Sequence, residues 1–138
     1  MVTVNYSHRF NYREMTEGRS PVLTATISTL AGGEESIDVD AYLDSGASTS
    51  LFNGSFLTAL HVPLINNRRK SFTSTAGYSI EAYIHRIRLT LPELGTFDLE
   101  IGFSSTQIIR NLLGRDFFNL IQIGFRERQL EFYLHPQP

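Results

Sequence analysis

Asp44-Ser45-Gly46-Ala47-Ser48 is the segment of this chain whose residue types best suit chemistry. A carboxylate can accept or release a proton, and a neighbouring hydroxyl can fasten the loop or reach a partner chain. Gly46 lets backbone N–H groups approach the carboxylate oxygens closely. Taken alone, these residues are also excellent material for an ordinary Asx-type turn. A second segment, Asn111-Leu112-Leu113-Gly114-Arg115-Asp116-Phe117-Phe118, sets an apolar pair and a glycine ahead of an arginine that needs an acceptor. Other chemistries find little support. His8, His61, His85 and His135 form neither a His-Glu-x-x-His pattern nor a short metal-ligand pair. His85, between Ile84 and Arg86, reads as a structural or exposed strand residue. Neither Gly46-Ala47-Ser48 nor Asn53-Gly54-Ser55 completes a Gly-x-Ser-x-Gly nucleophile elbow. Gly32-Gly33 runs into Glu34-Glu35, which would repel a phosphate. No metal and no cofactor is expected.

The elements that must position Asp44 have a period of two, the mark of strands with one buried face. Leu23, Ala25 and Ile27 alternate with Thr24, Thr26 and Ser28; Ile37, Val39, Ala41 and Leu43 alternate with Asp38, Asp40 and Tyr42 and lead directly into Asp44. Ala31-Gly32-Gly33-Glu34-Glu35 is the turn between these two strands. Ile87, Leu89 and Leu91 form another alternating set, and Phe97, Leu99, Ile101 and Phe103 follow a turn over Pro92–Gly95. Leu130, Phe132 and Leu134 close the chain. Short helices are expected after an Asn53-Gly54-Ser55 cap, through Phe56, Leu57 and Leu60, and again just after Gly114, through Asp116 to Leu120. Many short strands with turn residues between them predict a β-sandwich or partly closed barrel.

The length of 138 residues suits one domain. The expected division is an N-terminal extension over 1–20, dispensable to the core though able to add an edge strand, and a domain over 21–138. With no cysteine, disulfides and cysteine-based zinc clusters are excluded. A net charge of −2 gives no global attraction to nucleic acid or an anionic membrane. The one dense basic run, Arg68-Arg69-Lys70, follows the turn-prone Asn66-Asn67 and is expected to be a solvated loop. The aromatic residues are not interleaved with cations as a single-strand nucleic-acid platform requires. No window approaches the roughly 18 apolar residues of a membrane span, and cytoplasmic residence is the default expectation.

Tyr42-Leu43-Asp44-Ser45-Gly46-Ala47-Ser48 and the Leu112-Leu113-Gly114-Arg115-Asp116 segment, in this order on a β-rich chain, together resemble the retropepsin-like aspartic proteases. That family carries an apolar pair before Asp-Thr/Ser-Gly-Ala and a later apolar pair before Gly-Arg-Asn or Gly-Arg-Asp. The continuation Leu120-Ile121-Gln122-Ile123-Gly124 is similar to the retroviral form, and the resemblance spans roughly Pro21 to Leu134. It implies an all-β acid-protease barrel with one or two short helices. It also implies an aspartic endopeptidase acting on extended polypeptides, with pepstatin-type inhibition and apolar side chains favoured near the scissile bond. Asp44 is then the catalytic carboxylate, Ser45, Gly46, Ala47 and Ser48 the rest of its loop, and Leu113, Gly114, Arg115 and Asp116 its support. Ser74, Thr75, Ala76, Gly77, Tyr78, Ser79 and Ile80 are the flap candidate, with arms over Lys70–Thr73 and Glu81–Leu91.

The chemistry implied by the resemblance needs two carboxylates around one water, and the chain has one Asp-Ser-Gly. A two-fold symmetric homodimer supplies the second. Ser45, where many relatives have threonine, keeps the hydroxyl for a cross-subunit hydrogen bond. Arg115 resembles an arginine buried beside the active-site loop. Ser48 stands where the best-known retroviral proteins place an aspartate for it, so its expected partners are backbone carbonyls, Asp116 or another acid. Leu130, Phe132 and Leu134 are candidates for a dimer sheet or for ordinary core burial. A retropepsin-like dimer used for binding or as a scaffold, with weak or no hydrolysis, is the alternative; comparison with Asp44→Asn separates the two.

Overall fold

The computed structural model describes residues 1–74 and 76–137. In chain order the strands are β1 (His8–Asn11), β2 (Arg13–Met15), β3 (Gly18–Ser20), β4 (Val22–Ser28), β5 (Ile37–Leu43) and β6 (Leu51–Asn53). Helix α1 (Ser55–Ala59) precedes β7 (Arg69–Thr73), β8 (Ser79–Leu91), β9 (Gly95–Ser104) and β10 (Asn111–Leu113). Helix α2 (Arg115–Phe118) leads to β11 (Ile121–Arg126) and β12 (Glu131–Pro136). Among the described residues no helix is long and apolar enough to cross a membrane.

The main sheet runs β4-β5-β10-β6-β9-β8-β7, and a further β4–β8 pairing closes it into a barrel. Strand β8 makes both structures possible because it is long. Its first residues pair with β7, from Thr73↔Ser79 to Arg69↔Tyr83, while Arg88–Thr90 pair with β4. The β7–β8 hairpin therefore extends from the closed barrel. Alternation places Leu23, Ala25, Ile27, Val39, Ala41, Leu43, Ile87, Leu89 and Leu91 inside, as the period of two requires. Phe52, Phe103 and Phe117 fill the centre. The turn after β8 carries Glu93 and Gly95 at positive φ.

The residues before Ser20 add an edge strand, as the sequence allowed: β1 pairs with β12 from His8↔Leu134 to Asn11↔Glu131, and Tyr12 is buried. The stacked Phe10 and Phe132 rings lie 5.0 Å apart, so Phe10→Ala is expected to lower the unfolding free energy by about 2 kcal/mol. Denaturant titration at fixed protein concentration checks this. Three expectations are corrected. Arg68 is in the connection before β7 and all three cations are exposed, but Arg69 and Lys70 are not loop residues: they open β7, where β8 supplies backbone partners and Glu100 and Glu81 offset Arg68 and Arg69. Asn53 does not cap α1. Its amide side chain is taken by Asn111 and the Ile108 backbone, and Gly54 stands at the cap. Leu130 lies outside the last strand, in a left-handed conformation that ends a 3₁₀ turn; Phe132 and Leu134 are core residues.

Candidate active site

Asp44 stands where β5 ends, at the opening of a loop that returns to the barrel as β6. Strand β10 is inserted between these two strands, parallel to β5 and antiparallel to β6. Two segments more than sixty residues apart in sequence thus meet at one place. The Asp44 N–H donates to the Leu113 carbonyl at 2.9 Å, and the Arg115 N–H donates to the Ala47 carbonyl at 2.8 Å. Asp44 Oδ1 accepts the Gly46 N–H at 2.8 Å, and the Ala47 N–H donates back to the Asp44 carbonyl at 3.2 Å. The loop is a turn in hydrogen-bond pattern, and it presents a half-buried carboxylate beside exposed Ser45 and Gly46.

Gly114 is required at the crossing. A Cβ on it would lie 2.6 Å from the Ala47 carbonyl oxygen, a backbone atom that cannot step aside. Asp116 secures the same crossing by a route other than the one expected. Its carboxylate accepts from the Ser50 N–H at 3.0 Å, the Ser50 hydroxyl at 2.7 Å and the Phe117 N–H at 2.8 Å. The Ser50 hydroxyl oxygen in turn accepts the Gly114 N–H at 3.0 Å. Ser50 is fully buried and was not foreseen as a site residue; its only sequence signal is a hydroxyl directly before the apolar pair Leu51-Phe52. Arg115 departs from the implied pattern. In the single chain it is exposed and has no ion pair among the described residues.

The flap candidate is the end of the β7–β8 hairpin. Its tip closes through the Ser74 N–H to the Tyr78 carbonyl at 2.8 Å and the Gly77 N–H to the Ser74 carbonyl at 3.0 Å. Gly77 sits at φ 86, a conformation that suits glycine. Ser79 and Ile80 belong to β8 and Ala76 to the turn, while Thr75 lies outside the described residues. Tyr78 is 73% exposed, so it does not rest on its own hairpin.

One cavity adjoins the Asp44 loop, and a second lies beside the strands β5 and β10 that carry it. The first, of about 310 Å³, lies between Gly46–Thr49 and the hairpin residues Lys70–Ser74, with Leu112 in its lining. The other, of about 650 Å³, is bordered by Tyr42, Arg110, Glu17 and the 99% exposed Ile109. Its charges are mutually satisfied: Arg110 reaches Glu17 at 3.5 Å and lies over the Tyr42 ring. The Tyr42 hydroxyl, and then Arg110, hold the Glu17 carboxyl below its ordinary value; burial and Glu17 push the Tyr42 hydroxyl up. His85 is structural, its Nε2 lying 2.8 Å from the Leu64 carbonyl oxygen.

An all-β barrel closed in this order, with the aspartate loop crossed by the Gly114 segment, has the retropepsin-like aspartic protease fold. A retropepsin-like aspartic protease from Rickettsia conorii superposes with a TM-score of 0.62 at 12% identity, covering 98% of this chain and 100% of that one. The EIAV protease complexed with the inhibitor HBY-793 gives 0.56 at 15% identity over 72% of this chain and 86% of that chain. The sequence matches no protein-family model and no curated protein.

Proposed function

We propose that the chain is an aspartic endopeptidase that hydrolyses extended polypeptides as a homodimer, with Asp44 of each subunit supplying one carboxylate. The observation that carries this reading is the position of Asp44: a carboxylate at a strand end, one oxygen held by the Gly46 N–H, beside a groove overhung by a hairpin. A single chain offers one such group, and the two-fold axis of a dimer brings a second to it. Two carboxylates that close do not both ionise, because like charges in a poorly solvated site repel. They share a proton and titrate as a pair. The ionised member takes a proton from the attacking water while the protonated member polarises the scissile carbonyl.

The β7–β8 hairpin serves as the flap, closing over an extended substrate and bonding its backbone as an added strand. Exposed Tyr78 then meets substrate or the opposing hairpin. Ser45 makes the cross-subunit hydrogen bond, and exposed Arg115 finds its acceptor on assembly. Cleavage of a mixed peptide library, measured over a dilution series alongside sedimentation, tests the proposal. Specific activity is expected to fall as the dimer dissociates. Undiminished cleavage by a proven monomer would refute the shared site, and silence at every pH would leave the binding or scaffold role.

A further inference from the structure

The three consecutive cations before the hairpin tip have different surroundings. Arg68 pairs with Glu100, and Arg69 meets Glu81 at 3.6 Å. Lys70 has no carboxylate partner among the described residues. Its Nζ donates to Thr49 Oγ1 at 3.5 Å and lies 5.3 Å from the centre of the Phe72 ring. These three residues line the groove next to Gly46–Ser48, where Lys70 is the one charged side chain and the remaining polar groups are hydroxyls. The cavity beside β5 and β10 offers no comparable charge. There Arg110 is occupied by Glu17, and Asp40 by Arg13 at 2.9 Å.

We propose that the Lys70 groove accepts an acidic side chain of the polypeptide substrate, making Lys70 a specificity-determining residue. This rests on the endopeptidase reading. An extended peptide sends alternate side chains to opposite sides, so in the two-fold dimer one fixed position on each side of the scissile bond faces a copy of the groove. A glutamate or aspartate there gains the Lys70 ammonium as counter-charge. It also gains a hydroxyl donor from Thr49, which borders the same space. Lysine or arginine at that position meets an uncompensated like charge. Apolar preference, which the family resemblance implies near the scissile bond, does not extend to this groove.

The test is a randomised peptide library cleaved by the full chain, with sites determined by mass spectrometry, for the unsubstituted protein, Lys70→Met and Lys70→Glu. Lys70 is exposed, so the selection is of the size of a solvent-screened ion pair, about threefold to fivefold in kcat/KM for Glu over Gln. Enrichment of Glu and Asp is expected at a fixed position on each side of the scissile bond, one for each copy of the groove. It should vanish in Lys70→Met, turn toward Lys and Arg in Lys70→Glu, and weaken with added salt. Cleavage without acidic enrichment, or enrichment that survives Lys70→Met, overturns this inference and leaves the endopeptidase standing. No cleavage by the unsubstituted chain overturns both.

Discussion

Asp44→Asn is expected to lower the rate of peptide-bond cleavage by about 10²–10⁴-fold, the usual contribution of a positioned acid–base group, with no loss of fold. Because the active site is proposed to be shared by two copies, one substitution removes both carboxylates. An amide can neither take the proton from water nor protonate the scissile carbonyl oxygen. The fold has little reason to respond: within the chain Asp44 Oδ1 accepts the Gly46 N–H at 2.8 Å, and an asparagine oxygen accepts the same bond. Removing an acid pair whose second ionisation is opposed by like-charge repulsion should leave dimerisation unchanged or tighten it. Initial rates, circular dichroism and sedimentation on matched samples are the measurements. Cleavage by the variant at the parental rate would show that the chemistry lies elsewhere, and a much weaker dimer would show that the charge argument has the wrong sign.

Asp116→Ala is expected to give the largest loss of stability, about 2–4 kcal/mol, because two donors on buried Ser50 lose a charged acceptor. The carboxylate accepts three donors, and Ser50, which supplies two of them, is fully buried. Alanine leaves the two Ser50 donors without their acceptor, while the Phe117 N–H keeps the Gly114 carbonyl at 3.0 Å. Asp116→Asn should cost less, because its side-chain oxygen still accepts. Ser50→Ala breaks the hydroxyl link to Asp116 and also strands the Gly114 N–H. The double variant should therefore cost less than the sum of the two single ones. Denaturant unfolding at fixed protein concentration measures all four. Turnover at saturating substrate should also fall, since this network fixes the Gly114 segment against the Asp44 loop and catalysis needs that loop held to a fraction of an ångström. Additive energies would mean that Ser50 and Asp116 act separately.

The barrel strands were legible because each has one face against the core and one against water, and alternation records this directly. Leu23, Ala25 and Ile27, or Ile87, Leu89 and Leu91, have no other arrangement that buries all three. Basic residues misled for the converse reason. Arg68, Arg69 and Lys70 look like a solvated loop when neighbours are unknown, but a strand edge tolerates them once Glu100 and Glu81 lie alongside. The first twenty residues carry little apolar periodicity, and β1 exists because β12, more than a hundred positions away, offers it a ladder.

The Asp44 turn, the Gly114 segment and the hairpin over 69–91 were each determined by local residue chemistry, and their order along the chain was enough to suggest the fold. That Ser50 and Asp116 lock two of these together, that Arg115 is left exposed, and that Lys70 alone of three cations faces a groove were decided by tertiary structure. The physical reason is that hydrogen-bond and charge partners are set by distance in space, which a linear sequence does not record.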